Sequence, residues 1–166
     1  MELTSKAANK LLKKLTADIK SLREKENSSS TFKASLEEDV ESCRPEYSFK
    51  ETRQKVEKLE MQALKLKHAI NKFNVETKLD GFDLTIDQAL AYLPTLNEKL
   101  RRLNGMINRL PKERVSLYDT KIIDYVYTNY DIDEVKKEYA ETMDKIFRLQ
   151  LALDIVNVKK TFTVEL

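Results

Sequence analysis

Apolar residues recur along four segments of the chain at alternating spacings of three and four positions, which predicts long helices packed along narrow seams. Glycine occurs twice and proline three times in 166 residues, so few positions can interrupt a helix. The seams consist of Ala8, Leu12, Leu15, Ile19 and Leu22; Val56, Leu59, Ala63, Leu66 and Ile70; Ala89, Leu93, Leu96, Leu100, Leu103, Ile107 and Leu110; and Val135, Tyr139, Thr142, Ile146, Leu149, Leu153 and Val156.

The second and fourth segments are predicted to be two copies of one repeated helix. Tyr47 matches Tyr130, and the same offset of 83 positions relates the later apolar and polar residues of both segments. The first and third segments align from Leu3 and Leu84, with an offset of 81 positions. Any two helices with a regular apolar seam would align to some extent by pattern alone. Because the helix starts and the tails also match, we predict one domain, 1–166, made of two pseudo-repeats at about 1–83 and 84–166.

Three of the helix starts carry capping signals. Ser48 with Glu51, Thr85 with Gln88, and Asp131 with Glu134 each have the spacing of a capping box, in which two side chains satisfy unpaired amides. Pro94 lies inside the third helix and is expected to kink it.

The fold predicted from these features is mainly α: a four-helix bundle built from two duplicated helical hairpins, with a small β element at one end. Alternating apolar residues in "RVSLYDTKIIDYVYTN" (114–129) favour a hairpin, and "TFTV" (161–164) favours a strand that could pair with it. The serine-rich and acidic stretch at about 26–46 is expected to be a mobile loop.

Four motifs of this sequence resemble a family of small bacterial helical proteins of uncharacterised function: "FNVETKLDGFDLTIDQAL", "LPKERV", "YTNYDIDEV" and "ALDIVNVKKTFTVEL". A more remote similarity to the septicolysin-like family rests on Asn74 and Thr77, followed by Leu84 and Thr85. The first 46 residues depart from the pattern. The resemblance implies kinship with a cytolysin-like group, and it implies no catalytic or lytic residues.

Residues that could perform catalysis are few and scattered. His68 is the sole histidine and lies off the seam, and Cys43 is the sole cysteine. The carboxylate pairs Glu57 with Glu60 and Glu138 with Glu141 are interleaved with lysines, which is typical of a solvated helix face. We therefore predict a protein that is not an enzyme, with no catalytic residues, cofactor or metal.

Charge and hydropathy argue against two other classes of function. The net charge is only +2, and the lysines of the first helix are not interleaved with aromatic residues, so nucleic-acid binding is not expected. No apolar run approaches the roughly 18 residues that span a bilayer, and lysines interrupt the N-terminal segment "MELTSKAANKLLKKL". A cytoplasmic protein is expected, with a solitary cysteine that suits a reducing compartment.

Tyrosines supply the one candidate site. Tyr118, Tyr125, Tyr127 and Tyr130 cluster in the sequence, and tyrosine is favoured at protein interfaces. The simpler alternative is that they cover the end of the bundle. We predict a scaffold or interaction module that forms a homo-oligomer and binds an unidentified protein. The alternative is a membrane-acting, cytolysin-like protein whose amphipathic helices open onto lipid.

Overall fold

The computed structural model describes residues 1–115 and 123–166, which form five helices and four short strands. The helices are α1 (Ser5–Ser29), α2 (Val40–Cys43), α3 (Phe49–Glu76), α4 (Ile86–Ile107) and α5 (Ile132–Lys159). The strands are β1 (Glu2–Thr4), β2 (Lys112–Val115), β3 (Asp124–Tyr127) and β4 (Thr161–Thr163). A mainly helical fold with minor β structure is therefore confirmed. The duplicated four-helix bundle stays a prediction.

The chain divides into two compact units, called here the first unit (Met1–Thr77 with Ile155–Leu166) and the second unit (Lys78–Asp154). The first unit contains α1 and α3, and the second contains α4 and most of α5. The end of α5, from Ile155, belongs to the first unit, a division that the two sequence repeats do not indicate. The expected loop at 26–46 includes the end of α1 and the whole of α2.

The predicted helix starts are confirmed. Ser48 Oγ accepts a hydrogen bond from the Glu51 amide at 3.5 Å, and α3 begins at the next residue. Thr85 and Gln88 form the complete reciprocal capping box at the start of α4. At the start of α5, the Asp131 carboxylate accepts from the Asp133 amide at 2.7 Å. These side chains satisfy amides that the first helical turn leaves unpaired.

The core of the first unit lies between α1, α3 and the C-terminal segment. Leu66 is fully buried there, and the rings of Phe73 and Phe162 stack with centroids 4.8 Å apart. Thr4 caps α1 by accepting from the Ala7 amide. The buried cluster comprises Ala8, Leu15, Leu66, Ile70 and Val164.

The suggested pairing of the C-terminal strand with the tyrosine-rich segment is wrong. Strand β4 pairs antiparallel with β1, with Phe162 opposite Leu3. The amino group of Met1 donates to the Val164 carbonyl at 2.7 Å and extends the same ladder. The N-terminal strand is only three residues long, and the alternation of "ELT" is too short to be recognised in a sequence.

The second unit holds α4 beside α5. The Lys99 ammonium lies 2.6 Å from Glu138 Oε1, and the Lys145 ammonium donates to the Tyr92 hydroxyl at 3.0 Å. Helix α4 runs unbroken through Pro94. Leu110 was expected in the seam of this helix, but α4 ends at Ile107 and the Leu110 side chain is exposed.

Candidate interaction surfaces

Tyr125 and Tyr127 lie together on one face of the β2–β3 hairpin. Lys112 pairs with Tyr127 across the two strands, and Arg114 pairs with Tyr125. Directly opposed residues in an antiparallel ladder share a face, and residues two apart on a strand do so as well. These four side chains therefore form one surface, called here the cationic–aromatic face.

The Lys112 ammonium contacts both tyrosine rings of this face. It lies 4.0 Å from the ring centroid of Tyr125 and 5.4 Å from that of Tyr127. The two rings are tilted against each other with centroids 6.4 Å apart. Attraction between a cation and the two rings limits the rotamers of all three side chains. Both rings remain exposed, at 44% for Tyr125 and 61% for Tyr127.

The other two predicted site residues do not join this face. Tyr118 lies outside the described residues. The Tyr130 hydroxyl donates to the Met106 carbonyl at 2.7 Å, which connects the start of α5 to the last turn of α4. In the first unit, the Tyr47 hydroxyl likewise donates to Glu26 Oε1 at 3.1 Å and connects the start of α3 to the end of α1. The tyrosine before each cap thus joins the two helices of a hairpin.

Glu26 is the most enclosed member of these contacts, with its side chain 12% exposed. Arg53 Nε lies 3.3 Å from the same carboxylate oxygen that accepts from Tyr47. Burial raises the pKa of the Tyr47 phenol, and the hydrogen bond to Glu26 raises it further. The phenol therefore remains the donor in this contact.

Helix α5 carries a second apolar stripe that the sequence analysis missed. Met143, Phe147 and Leu151 are 54%, 64% and 49% exposed. At about 100° per residue, the centre of this stripe lies roughly 130° around the helix from the buried seam. We call these three residues the α5 outward face. Their regular spacing of four is visible in the sequence, but the prediction assigned only one apolar seam to each helix.

Helix α3 presents a weaker form of this stripe. Met61 and Leu64 are exposed, and Leu64 occupies the repeat position of Phe147. His68 is exposed at the position that matches Leu151. We call Met61, Leu64 and His68 the α3 outward face. Leu64 and Phe147 are the one pair of apolar residues that the two outward faces share at matching positions, and the α3 outward face is the more polar of the two.

The remaining polar candidates lie on ordinary surface. Glu60 pairs with Arg23 at 2.5 Å and Glu138 pairs with Lys99. Cys43 Sγ lies 3.9 Å from Glu38 Oε2. Within 1–115 and 123–166, no group of three or more histidine, cysteine, aspartate or glutamate side chains is arranged to hold a metal ion.

The basic residues of α1 all lie on its solvent side. Each of them is exposed: Lys6, Lys10, Lys13, Lys14, Lys20, Arg23 and Lys25. As for membrane spanning, every helix in the described part of the chain is too short or too polar to cross a bilayer.

Comparison with known proteins gives the fold alone. No model of a protein family matches the chain, and no curated protein matches it. A crystal structure of a functionally unknown conserved protein from Corynebacterium diphtheriae is similar, with a TM-score of 0.59 over 98% of this chain and 100% of that chain. The sequence identity is 16%, so the likeness extends to the helical architecture. The predicted resemblance to the septicolysin-like family stays a prediction.

Proposed function

We propose that this protein is a non-enzymatic helical scaffold that self-associates through the α5 outward face. The observation that carries the proposal is the exposure of Met143, Phe147 and Leu151 on the side of α5 away from its buried seam. A helix that is apolar on two sides is typical of a position between two neighbours, because one side alone suffices to pack a hairpin.

The apolar area of this face gives self-association a driving force. Fully burying a side chain such as Phe, Leu or Met contributes about 1.5–3 kcal/mol, and these three are about half exposed before association. Since a twofold contact buries the same patch on both copies, the contribution counts twice. That sum is comparable with the several kcal/mol of translational and rotational freedom that association costs.

The predicted four-helix bundle of duplicated hairpins belongs to the same proposal. The two hairpins of one chain supply the four helices of that bundle, and self-association through the α5 outward face adds a second copy. The proposal places the protein in the cytoplasm and leaves room for an unidentified protein partner on the surface that remains.

The α5 outward face also gives the membrane-acting alternative its one supporting observation. Exposed Phe and Leu side chains on one side of a helix can enter the interface of a bilayer. In that function the apolar stripe would meet lipid instead of a second copy. Release of dye from anionic liposomes, with the native chain and with the variant described next, distinguishes the two functions.

The experiment compares the double variant Phe147→Ser/Leu151→Ser with Phe49→Ser. Phe49 is 62% exposed at the start of α3 and lies outside both outward faces, so it is a matched control for an exposed phenylalanine. Analytical ultracentrifugation measures the dissociation constant of each variant, and circular dichroism measures its helix content. We expect the double variant to weaken self-association by at least about tenfold at unchanged helix content.

Two results would contradict the proposal. If the double variant had the same dissociation constant as the native chain, the α5 outward face would not be the contact. Leakage of liposomes by the native chain and its loss in the double variant, with no self-association by either, would favour the membrane-acting function.

A further inference from the structure

The cationic–aromatic face and a second exposed surface of the same chain carry opposite charges, and each has exposed apolar side chains. Leu36 is entirely exposed, at 107% of its reference area, at the tip of the turn before α2. The Glu38 amide donates to the Ser35 carbonyl at 3.2 Å and closes that turn. Four carboxylates follow the leucine within five positions of the chain, at Glu37, Glu38, Asp39 and Glu41. We call residues 36–41 the acidic knob.

We propose that the cationic–aromatic face binds the acidic knob of a second copy of this chain. The inference rests on the proposed self-association and gives it a second contact. In this contact Leu36 packs against the Tyr125 and Tyr127 rings, and Lys112 and Arg114 pair with the surrounding carboxylates.

Hydrogen bonds hold the acidic knob in a defined conformation before any contact is made. Glu38 Oε2 accepts from the Ser35 amide at 2.9 Å, and Asp39 Oδ1 accepts from the Glu41 amide at 3.3 Å. The backbone hydrogen bond from Ser35 lowers the pKa of Glu38, and the hydrogen bonds from Arg44 lower the pKa of Glu41. The knob is thus a charged turn of defined shape with an apolar tip.

The cationic–aromatic face is prepared as well. Because Lys112 is held against two rings, less rotamer freedom is lost when its ammonium pairs with a carboxylate. Tyrosine rings offer a broad apolar surface at a low cost in conformational entropy.

A compact acidic surface fits this face better than a nucleic acid does. The opposite face of the same hairpin presents Glu113 and Asp124, so the described strands carry equal numbers of positive and negative side chains. A polyanion requires a continuous basic path along several phosphates, which the hairpin does not supply. Each copy carries one knob and one cationic–aromatic face, so a twofold pair can make the contact twice.

Charge reversal in the full-length chain tests the proposal. One variant is Lys112→Glu/Arg114→Glu, a second is Glu37→Lys/Glu41→Lys, and the third combines all four substitutions. Lys13→Glu/Lys14→Glu changes the net charge of the chain as much as the first variant does, on the solvent side of α1, and serves as the control. The dissociation constant for self-association is measured for each by analytical ultracentrifugation.

We expect each double reversal to weaken self-association by at least about tenfold, since two ion pairs become two repulsions in each contact, and the fourfold variant to restore it. The Lys13→Glu/Lys14→Glu control should match the native chain. Raising the salt concentration from about 50 mM to about 500 mM should weaken the native contact and leave less difference among the variants.

Three results would overturn the inference. The first is a dissociation constant of Lys112→Glu/Arg114→Glu equal to that of the native chain. The second is a dissociation constant of the fourfold variant that stays as weak as those of the double variants. The third is binding of a labelled single-stranded RNA of about 12 nucleotides that is lost in Lys112→Glu/Arg114→Glu while self-association is unchanged. The proposed function fails separately, when Phe147→Ser/Leu151→Ser leaves the dissociation constant unaltered.

Discussion

The α1/α3 hairpin and the α4/α5 hairpin have similar buried residues and different exposed residues. Leu66 and Leu149 occupy matching positions in the predicted repeat, and both are completely buried. On the outward faces, Leu64 matches Phe147, but the exposed His68 stands where the second unit has Leu151. Packing a hairpin requires the interior residues and does not require the outward ones. The outward difference is therefore the basis for proposing a contact on α5.

The largest effect is expected from opening the two matched cores. Leu66→Ala and Leu149→Ala should each lower the free energy of unfolding by about 2–5 kcal/mol, because each removes three buried carbons and leaves a cavity. Urea unfolding followed by circular dichroism measures both. Similar losses would support an equivalent role in the two hairpins, whereas a negligible loss for either would break the comparison.

Making the first unit resemble the second should strengthen association. His68→Leu gives the α3 outward face the leucine that α5 carries, so α3 gains an association surface of its own, and we expect self-association to become about five- to tenfold tighter. Lys58→Leu adds the same apolar side chain to an exposed position of α3 outside the outward face and should have less effect. Equal dissociation constants for the native and His68→Leu chains would show that the outward face of α3 does not take part.

A smaller effect is expected from the tyrosine that joins the helices of the second unit. Tyr130→Phe removes the donor to the Met106 carbonyl and should cost about 0.5–1.5 kcal/mol in urea unfolding. Tyr139→Phe, on a half-buried tyrosine in the first third of α5, is the comparison. If Tyr130→Phe unfolded at the same urea concentration as the native chain, this hydrogen bond would not contribute to stability.

The corresponding tyrosine of the first unit predicts a dependence on pH. Burial and the Glu26 carboxylate raise the pKa of Tyr47 above its ordinary value of 10.0. A raised pKa in the folded state means that this stabilisation is complete below about pH 10 and is lost as the pH rises through the folded value. Tyr47→Phe should remove that alkaline component, which urea unfolding between neutral pH and about pH 11 would detect. If the free energy of unfolding of Tyr47→Phe fell with pH above about pH 10 as steeply as that of the native chain, Tyr47 would not be the source of this pH dependence.

The smallest effects are expected from the ion pairs that join the helices of each hairpin. Arg23→Ala removes the pair with Glu60 in the first unit, and Lys99→Ala removes the pair with Glu138 in the second. Both pairs are exposed, so each change should cost about 0.2–1 kcal/mol at low salt and less at high salt. A loss of several kcal/mol in urea unfolding would show that one of the pairs is a structural requirement.

The helices could be predicted from the sequence because their signals are local. Ser48, Thr85 and Asp131 marked three helix starts to within one residue, and the apolar spacing identified the buried side of each long helix. The pairing of β4 with β1 could not be predicted in the same way. It joins residues at opposite ends of the chain, and three-residue strands carry almost no pattern.

The candidate surfaces were only half visible in the sequence. Tyr125 and Tyr127 were identified by type and spacing, but the positions of Lys112 and Arg114 beside them depend on strand register. Phe147 was overlooked because periodicity reports where apolar residues fall, and only the packed structure distinguishes a covered stripe from an exposed one. Tyr130 was grouped with the surface tyrosines, although its hydroxyl joins two helices.

Absolute mass in solution tests the central claim most directly. Size-exclusion chromatography with light scattering should give twice the 19.4 kDa mass of one chain for the native protein at high concentration. The mass should fall toward that of one chain on dilution, and Phe147→Ser/Leu151→Ser should reach the single-chain mass at a higher concentration than the native protein does. A native mass of 19.4 kDa at every concentration would contradict the account.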